Sequence, residues 1–354
     1  MSNEEIYETT GFDAISERLA LLYPNQKERH YGTVIKYALG GKDPLDGISV
    51  YKSEKGMPHW HYISYGFTEL YEKESEDKEV SGWGFELTFR LKCGTEKEPP
   101  VWPMNLLQNL ARYVFNSGNV FGNGHHMSCN GPIALAEKTK LTALGFRIDP
   151  ELGEMDTENG HMEFLQAVGI TEDEMHAMMC WNGDNFMELM DQTLPYGITD
   201  LSRNSIMEDA TVKEKWSEGV ERDGSSTAFL YMDEVGFETV EIAPNARAWV
   251  LRVGAGHTET LSTMLKARLR KGNELYLETK DLAIVFKHSE DKPGLGMDEP
   301  DFGVIELNEA ALNELCEALQ PHAGFVCLKS MPLALEIVPT YIKDHEGNVI
   351  QVIE

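Results

Sequence analysis

The chain has 354 residues, and 31 Lys and Arg against 59 Asp and Glu leave a net charge of −28. That balance argues against nucleic acid and anionic membranes, both of which are bound through clustered cations, and favours a basic protein or peptide partner. The polar, acidic start lacks the basic and apolar regions of a secretory signal, and no apolar run approaches the ~18 residues that span a bilayer, so the expectation is a cytoplasmic protein.

The length suggests two domains, each large enough to bury a core without disulfides or metals. Cys93, Cys129, Cys180, Cys316 and Cys327 are odd in number and hold no C-x-x-C pair. Reduced thiols acting as small core residues fit this pattern.

In chain order, the first predicted strands are 60–67 and 83–91. In the second, Phe85, Leu87, Phe89 and Leu91 share one face while Glu86, Thr88 and Arg90 share the other. That is the period of a half-buried strand. The run 72–79 between the two strands reads as a charged loop. Pro103 opens a helix whose stripe is Leu107, Leu110, Ala111 and Val114, and Gly118 ends it. A Gly/Asn-rich turn follows over 116–130. Thr171 with Glu174 reads as a capping box starting another helix, and 184–190 as a further helical turn or two. The polar stretch 203–226 holds the expected boundary: one domain over 1–212, a linker over 213–226 and a second domain over 227–354.

The second half again mixes strands and helices. Strands are expected at 248–253, 274–279, 282–288, 325–328, 334–338 and 348–353, with helices at 259–270 and from Asn308 to Leu319. Asn308 is the cap of the later helix, and Leu307 and Leu312 are placed to staple it. The stretch 298–306 reads as acidic and turn-rich. Without strict βαβ alternation the fold class is α+β, each domain a mixed or antiparallel sheet with packed helices.

The best metal candidate is His59-x-His61 helped by His125 and His126, because residues two apart on a strand share a face. That face continues as Ile63, Tyr65 and Phe67, a core face, which favours a structural pair of histidines and no metal. The acidic stretch 149–163 fails the calcium-loop pattern, with Glu154 where Gly is required, and reads as a solvated loop. Gly254-Ala255-Gly256 reads as a tight turn, since Glu259 stands where a dinucleotide loop has its third glycine. There is no G-x-S-x-G. No cofactor is expected. One feature stands out: 148–202 carries thirteen acids and no Lys or Arg, and 293–328 is a second cation-free window. Glu172 and Glu174 of the first window are the candidate steering residues for a basic partner.

Several segments together resemble a known family. LYPNQ (22–26), IKYALGGKDPLDGISVY (35–51), HWHYISYGFTELY (59–71), SGWGFELTFRL (81–91), PPVWPMNLLQNLARYVFNSGNVF (99–121) and ITDLSR (198–203) resemble the N-terminal domain of Suppressor of fused. The run MLKARLRKGNELYLETKDLAIVF (264–286) resembles its C-terminal domain more weakly. The resemblance implies a non-enzymatic binding protein. Animal members regulate Hedgehog signalling by clamping a short peptide of Gli transcription factors between two domains, as an added strand. Bacterial relatives are thought to neutralise toxins.

The chain lacks the long disordered insertion that animal members carry in the second half, which looks bacterial. The family's Asp-His pair after the ARYVF helix is matched here by His125 and His126, which puts Gli-type binding in doubt. Tyr113 matches a family contact residue, and Leu251 is the approximate match for another. The resulting expectation is an immunity protein that clamps a basic partner, such as a toxin domain, between two domains. The alternatives are a Gli-like transcription-factor regulator and a metal-dependent hydrolase using His59, His61 and His125.

Overall fold

The computed structural model describes residues 9–37, 40–232, 234–243, 246–343 and 349–354. The chain divides into two compact units: Met1–Met175 with Gly183–Val212, and His176–Asn182 with Lys213–Glu354.

The first unit contains α1 (Thr10–Leu22), β1 (Arg29–Gly32), β2 (Gly47–Ser53), β3 (His59–Tyr65), β4 (Val80–Lys92), α2 (Trp102–Ser117), β5 (His126–Ser128), β6 (Leu141–Ile148), β7 (Glu154–Thr157) and β8 (Gly160–Thr171). α3 (Glu172–Cys180) then runs from the first unit into the second, and α4 (Gly183–Asp191) returns to the first. The sheet has eight strands in the order β1-β2-β3-β4-β8-β6-β5, with β7 on β8. Its only parallel pairing along that order is β4 with β8.

A helix packs on each face of this sheet. Leu107, Leu110, Ala111 and Val114 of α2 join Phe85, Leu87, Phe89 and Leu91 in one core. The expected start and stop of α2 hold: Pro103 sits in its first turn, and Gly118 caps it at φ 75°, a left-handed conformation that glycine adopts without strain. Ile15 and Leu19 of α1 form a second core with Ile63, Tyr65 and Phe164 on the opposite face. β4 is therefore buried on both faces. Glu86, Thr88 and Arg90 are fully buried rather than solvated, because α1 covers the face that alternation assigns to water. Phe67 leaves the face of His59 and His61 for the α2 core, the chain having turned at Gly66, whose φ is 138°.

The second unit holds α5 (Ala210–Asp223) from Lys213 onward. It continues with β9 (Phe229–Tyr231), β10 (Val235–Ala243), β11 (Ala246–Gly254), α6 (Thr258–Leu269), β12 (Leu275–Glu278), β13 (Ala283–His288), β14 (Gly294–Glu299), β15 (Phe302–Leu307) and α7 (Glu309–Ala318). It ends with β16 (Gly324–Cys327), β17 (Leu333–Val338), β18 (Thr340–Lys343) and β19 (Val349–Ile353). Two sheets, β10-β11-β17-β16 and β14-β15-β13-β12-β9, share one core with α6 and α7, and β18 pairs with β19. Parallel and antiparallel neighbours are mixed in both sheets, so the class is α+β as expected.

Three readings change here. The stretch read as a linker over 213–226 is helical as far as Asp223. Its few apolar side chains suffice because Trp216 packs on the core and Trp181 lies against Gly219. The turn-rich stretch 298–306 is instead most of the β14–β15 hairpin, in which Ile305 and Leu307 are buried. Cys327 is exposed on β16 and is not a core residue, whereas Cys180 and Cys316 are buried. The cap at Asn308 stands: its side chain accepts from the Ala311 N–H, with Leu307 and Leu312 both buried beside it.

Candidate functional site

The histidine pair lies inside a buried charge network, not an open pocket. Arg90 on β4 reaches Asp149 through Nη2, at 2.8 Å to Oδ1 and 3.0 Å to Oδ2, and both side chains have zero exposure. Nη1 of Arg90 donates to Glu151, which also takes Lys55 at 2.8 Å. Thr88 donates to Asp149 Oδ2 at 2.9 Å. His61 Nδ1 meets the Tyr23 hydroxyl of the α1 C-cap at 2.9 Å, and Nε2 lies 3.2 Å from Asp149 Oδ2. His59 Nδ1 bonds the Met57 carbonyl at 2.7 Å, with Nε2 3.3 Å from Arg90. The Nδ1 atom of each imidazole is thus committed to a neighbour.

Burial sets the protonation of this cluster. It pushes the His61 pKa down to about 4, with the Arg90 charge adding to the effect. Burial alone would raise the Asp149 carboxyl. Arg90, His61 and the Glu151 N–H outweigh it and hold Asp149 ionised far below the usual range. Asp149 is therefore a buried anchor rather than part of a solvated loop. Sequence reasoning missed it, since its partners lie 59 and 61 residues away. The available signal was Arg90 itself, a cation between Phe89 and Leu91 near the end of an apolar strand.

His125 is not brought to this cluster. It is exposed in the turn before β5, and β3 and β5 are separated by β4, β8 and β6. Four strand spacings amount to about 19 Å. Among the described residues no three His, Cys, Asp or Glu side chains gather as a metal site would require.

The sequence-predicted binding residues divide into two groups. Tyr113, His125 and His126 come together at the end of the large sheet. β5 is the terminal strand and pairs with β6 alone in the sheet order. Tyr113, 38 % exposed on α2, stacks on Phe121 at 5.6 Å, and Phe121 on the buried Phe146 at 4.2 Å. The ladder of three rings fixes an exposed aromatic beside the β5 edge. The turn carrying His125 is pinned from behind: Gly183 at the start of α4 lies so close to Gly124 that a Cβ would stand 2.0 Å from its carbonyl oxygen. By the alternation of antiparallel bonding, with Cys129 N–H donating inward to Thr142, the Ser128 N–H points away from β6.

Leu251 and Glu174 do not belong to such a surface. Leu251 is fully buried on β11 in the second unit's core and offers a partner no side-chain area. Glu174 is also fully buried, accepting from Arg203, the Ile206 N–H and the Thr171 N–H. That last bond is half of the expected capping box; Thr171 Oγ1 turns to Asp173 instead. Glu172 is exposed. The cation-free window is also less bare in space than in sequence. Asp149, Glu151, Glu174, Asp191 and Asp200 are paired with Arg90, Lys55, Arg203, Arg147 and Lys92 from outside it. Glu154, Asp156, Glu158, Glu172, Asp173, Asp184 and Glu188 are its exposed acids.

Residues 41–204 match the family model described as Suppressor of fused protein. The Suppressor of fused homologs of Homo sapiens and Mus musculus are each 40% identical over 236 residues, covering 61% of this chain and 48% of theirs. The chain thus spans about half the length of the curated relatives it matches. The crystal structure of Drosophila Suppressor of Fused superposes with a TM-score of 0.76 at 24% identity, over 95% of this chain and 99% of that one. A chain from the Sufu–Fu complex crystal structure aligns with a TM-score of 0.55 at 33% identity, over 60% of this chain and 97% of that one. The sequence segments and these matches agree: residues 41–204 form a Suppressor of fused domain, and the chain shares its fold with Drosophila Suppressor of Fused over 95% of its length.

Proposed function

We propose that the chain is a non-enzymatic regulator that works by binding another protein, and that the partner adds an extended segment to the β5 edge beside Tyr113. The observation that carries the reading is the pairing of a terminal strand with a fixed, exposed aromatic. Backbone bonds along a sheet edge give affinity, and a neighbouring aromatic gives a hot spot. The Sufu–Fu complex, from a chain 33% identical to this one, supports a protein as the partner. Residues 1–212 and 227–354 are proposed as the two domains.

The net charge of −28 supports a basic partner. Within that class we favour toxin neutralisation, on the resemblance to bacterial relatives. A Gli-like partner is less favoured, because His125 replaces the family Asp that would bond the peptide's histidine. Co-expression with candidate basic toxins tests this: protection of the host, lost on Ser128→Pro, is the expected result. Growth arrest with and without the chain would sink the toxin reading.

A further inference from the structure

The first unit has a recess that the reading above does not use. It is a cleft of about 320 Å³ lined by Tyr37, Tyr71, Trp83, Phe115 and Asp46 among others, with Lys36 inside it. The rings pack on one another: Phe115 meets Tyr37 at 5.5 Å and Trp83 at 5.5 Å. Four carboxylates line the cleft, Glu69 among them paired with Lys73, and Lys36 is the one lining cation among the described residues. Lys36 Nζ stands 4.2 Å from the Tyr71 ring centre and 3.4 Å from Asp46 Oδ2, and donates to the Tyr71 hydroxyl. Tyr71 in turn donates to Asp46 at 2.7 Å. An aromatic wall backed by a carboxylate is the chemistry that recognises ammonium and guanidinium groups.

We infer that this cleft receives a lysine or arginine side chain from a basic partner, in the place that Lys36 holds in the free chain. The inference rests on the reading of a basic partner. Lys36 marks the chemistry the cleft accepts, and it is weakly seated. Its side chain is 50 % exposed, and it rides on a segment where Val34 and Ile35 are 101 % and 58 % exposed. Burial therefore does little to hold it in place, and an incoming cation competes for the same ring and the same carboxylate. The bond that Lys36 donates to Tyr71, ahead of the Asp46 charge, holds its ammonium above its ordinary range, as a cation-selective site requires.

The test is an NMR titration of the full chain, following the Trp83 indole N–H, with N-acetyl-lysine methylamide and its uncharged norleucine analogue. Lys36→Ala empties the cleft, and Lys78→Ala makes the same charge change on an exposed loop. The lysine amide should bind Lys36→Ala at least fivefold more tightly than Lys78→Ala, and the norleucine amide should bind neither. Adding Asp46→Asn to Lys36→Ala should abolish the gain, and Asp46→Glu should keep it. Equal affinities for the two lysine variants, or equal binding of the two amides, would overturn the inference. Because the probe is a single amino acid, loss of the partner reading in cells and loss of this cleft are separate results.

Discussion

Arg90 and Asp149, 59 residues apart in sequence, form a two-pronged ion pair with zero exposure, at 2.8 Å and 3.0 Å. The pair ties the C-terminal end of β4 to the turn between β6 and β7, and through His61 and Tyr23 to the end of α1. It holds together the sheet whose far edge is the proposed binding site.

Breaking that pair by removing one partner strands the other charge in the interior. Asp149→Ala should cost roughly 3–5 kcal/mol in urea unfolding of the full chain. Replacing both, as Arg90→Met with Asp149→Leu, should cost clearly less than the single change. A loss below about 1 kcal/mol for Asp149→Ala would mean the network is not part of the scaffold.

Acid should weaken the fold before any carboxylate of ordinary pKa is protonated. His61 binds its proton with a pKa of about 4 when folded and about 6.5 when unfolded. Between those values the unfolded state binds more protons, so stability falls as pH drops from 6.5 to 4 and the loss levels off below 4. The His61 contribution is about 3 kcal/mol at 1.36 kcal/mol per pKa unit. His59 and His30, also lowered chiefly by burial, act in the same direction. Melting temperature should rise with pH through this window, and His61→Gln should flatten the slope. An unchanged slope in that variant would show that His61 titrates normally.

Glu172 and Glu174 should behave differently despite their adjacency. Glu174→Lys buries a cation against Arg203 and leaves four N–H donors without their acceptor, so several kcal/mol of stability should be lost. Glu172→Lys, on the exposed side of α3, should leave the melting temperature within a degree or two and act only on association with a basic partner, more strongly at low salt. Equal melting temperatures for the two variants would contradict the burial of Glu174.

How much was legible in the sequence follows from burial and range. α2 and α7 read correctly because each buries one stripe and carries its own start signal, Pro103 or Asn308. β6 and β8 escaped because central strands covered on both faces lack the period of two: Ala167, Val168 and Ile170 are all fully buried. β5 escaped because it is three residues inside a Gly/Asn-rich turn, and only β6 defines it. At the proposed site, Tyr113 was named by the family resemblance alone. Leu251 was misplaced because an apolar residue at mid-strand is core before it is contact. Asp149 and Glu174 looked like solvated acids because their cations, Arg90 and Arg203, come from elsewhere in the chain.

The central claim is that a partner protein adds a strand at β5 beside Tyr113, and binding kinetics with the captured partner test it most directly. Ser128→Pro removes the outward N–H at an edge position that tolerates proline, and Tyr113→Ala removes the exposed ring. Both should keep the wild-type melting temperature, raise the dissociation rate and weaken binding by about tenfold or more. Exposed Glu172→Lys should slow association and leave dissociation nearly unchanged. A partner that leaves Ser128→Pro and Tyr113→Ala no faster than wild type would contradict the account and place the binding surface elsewhere on the chain.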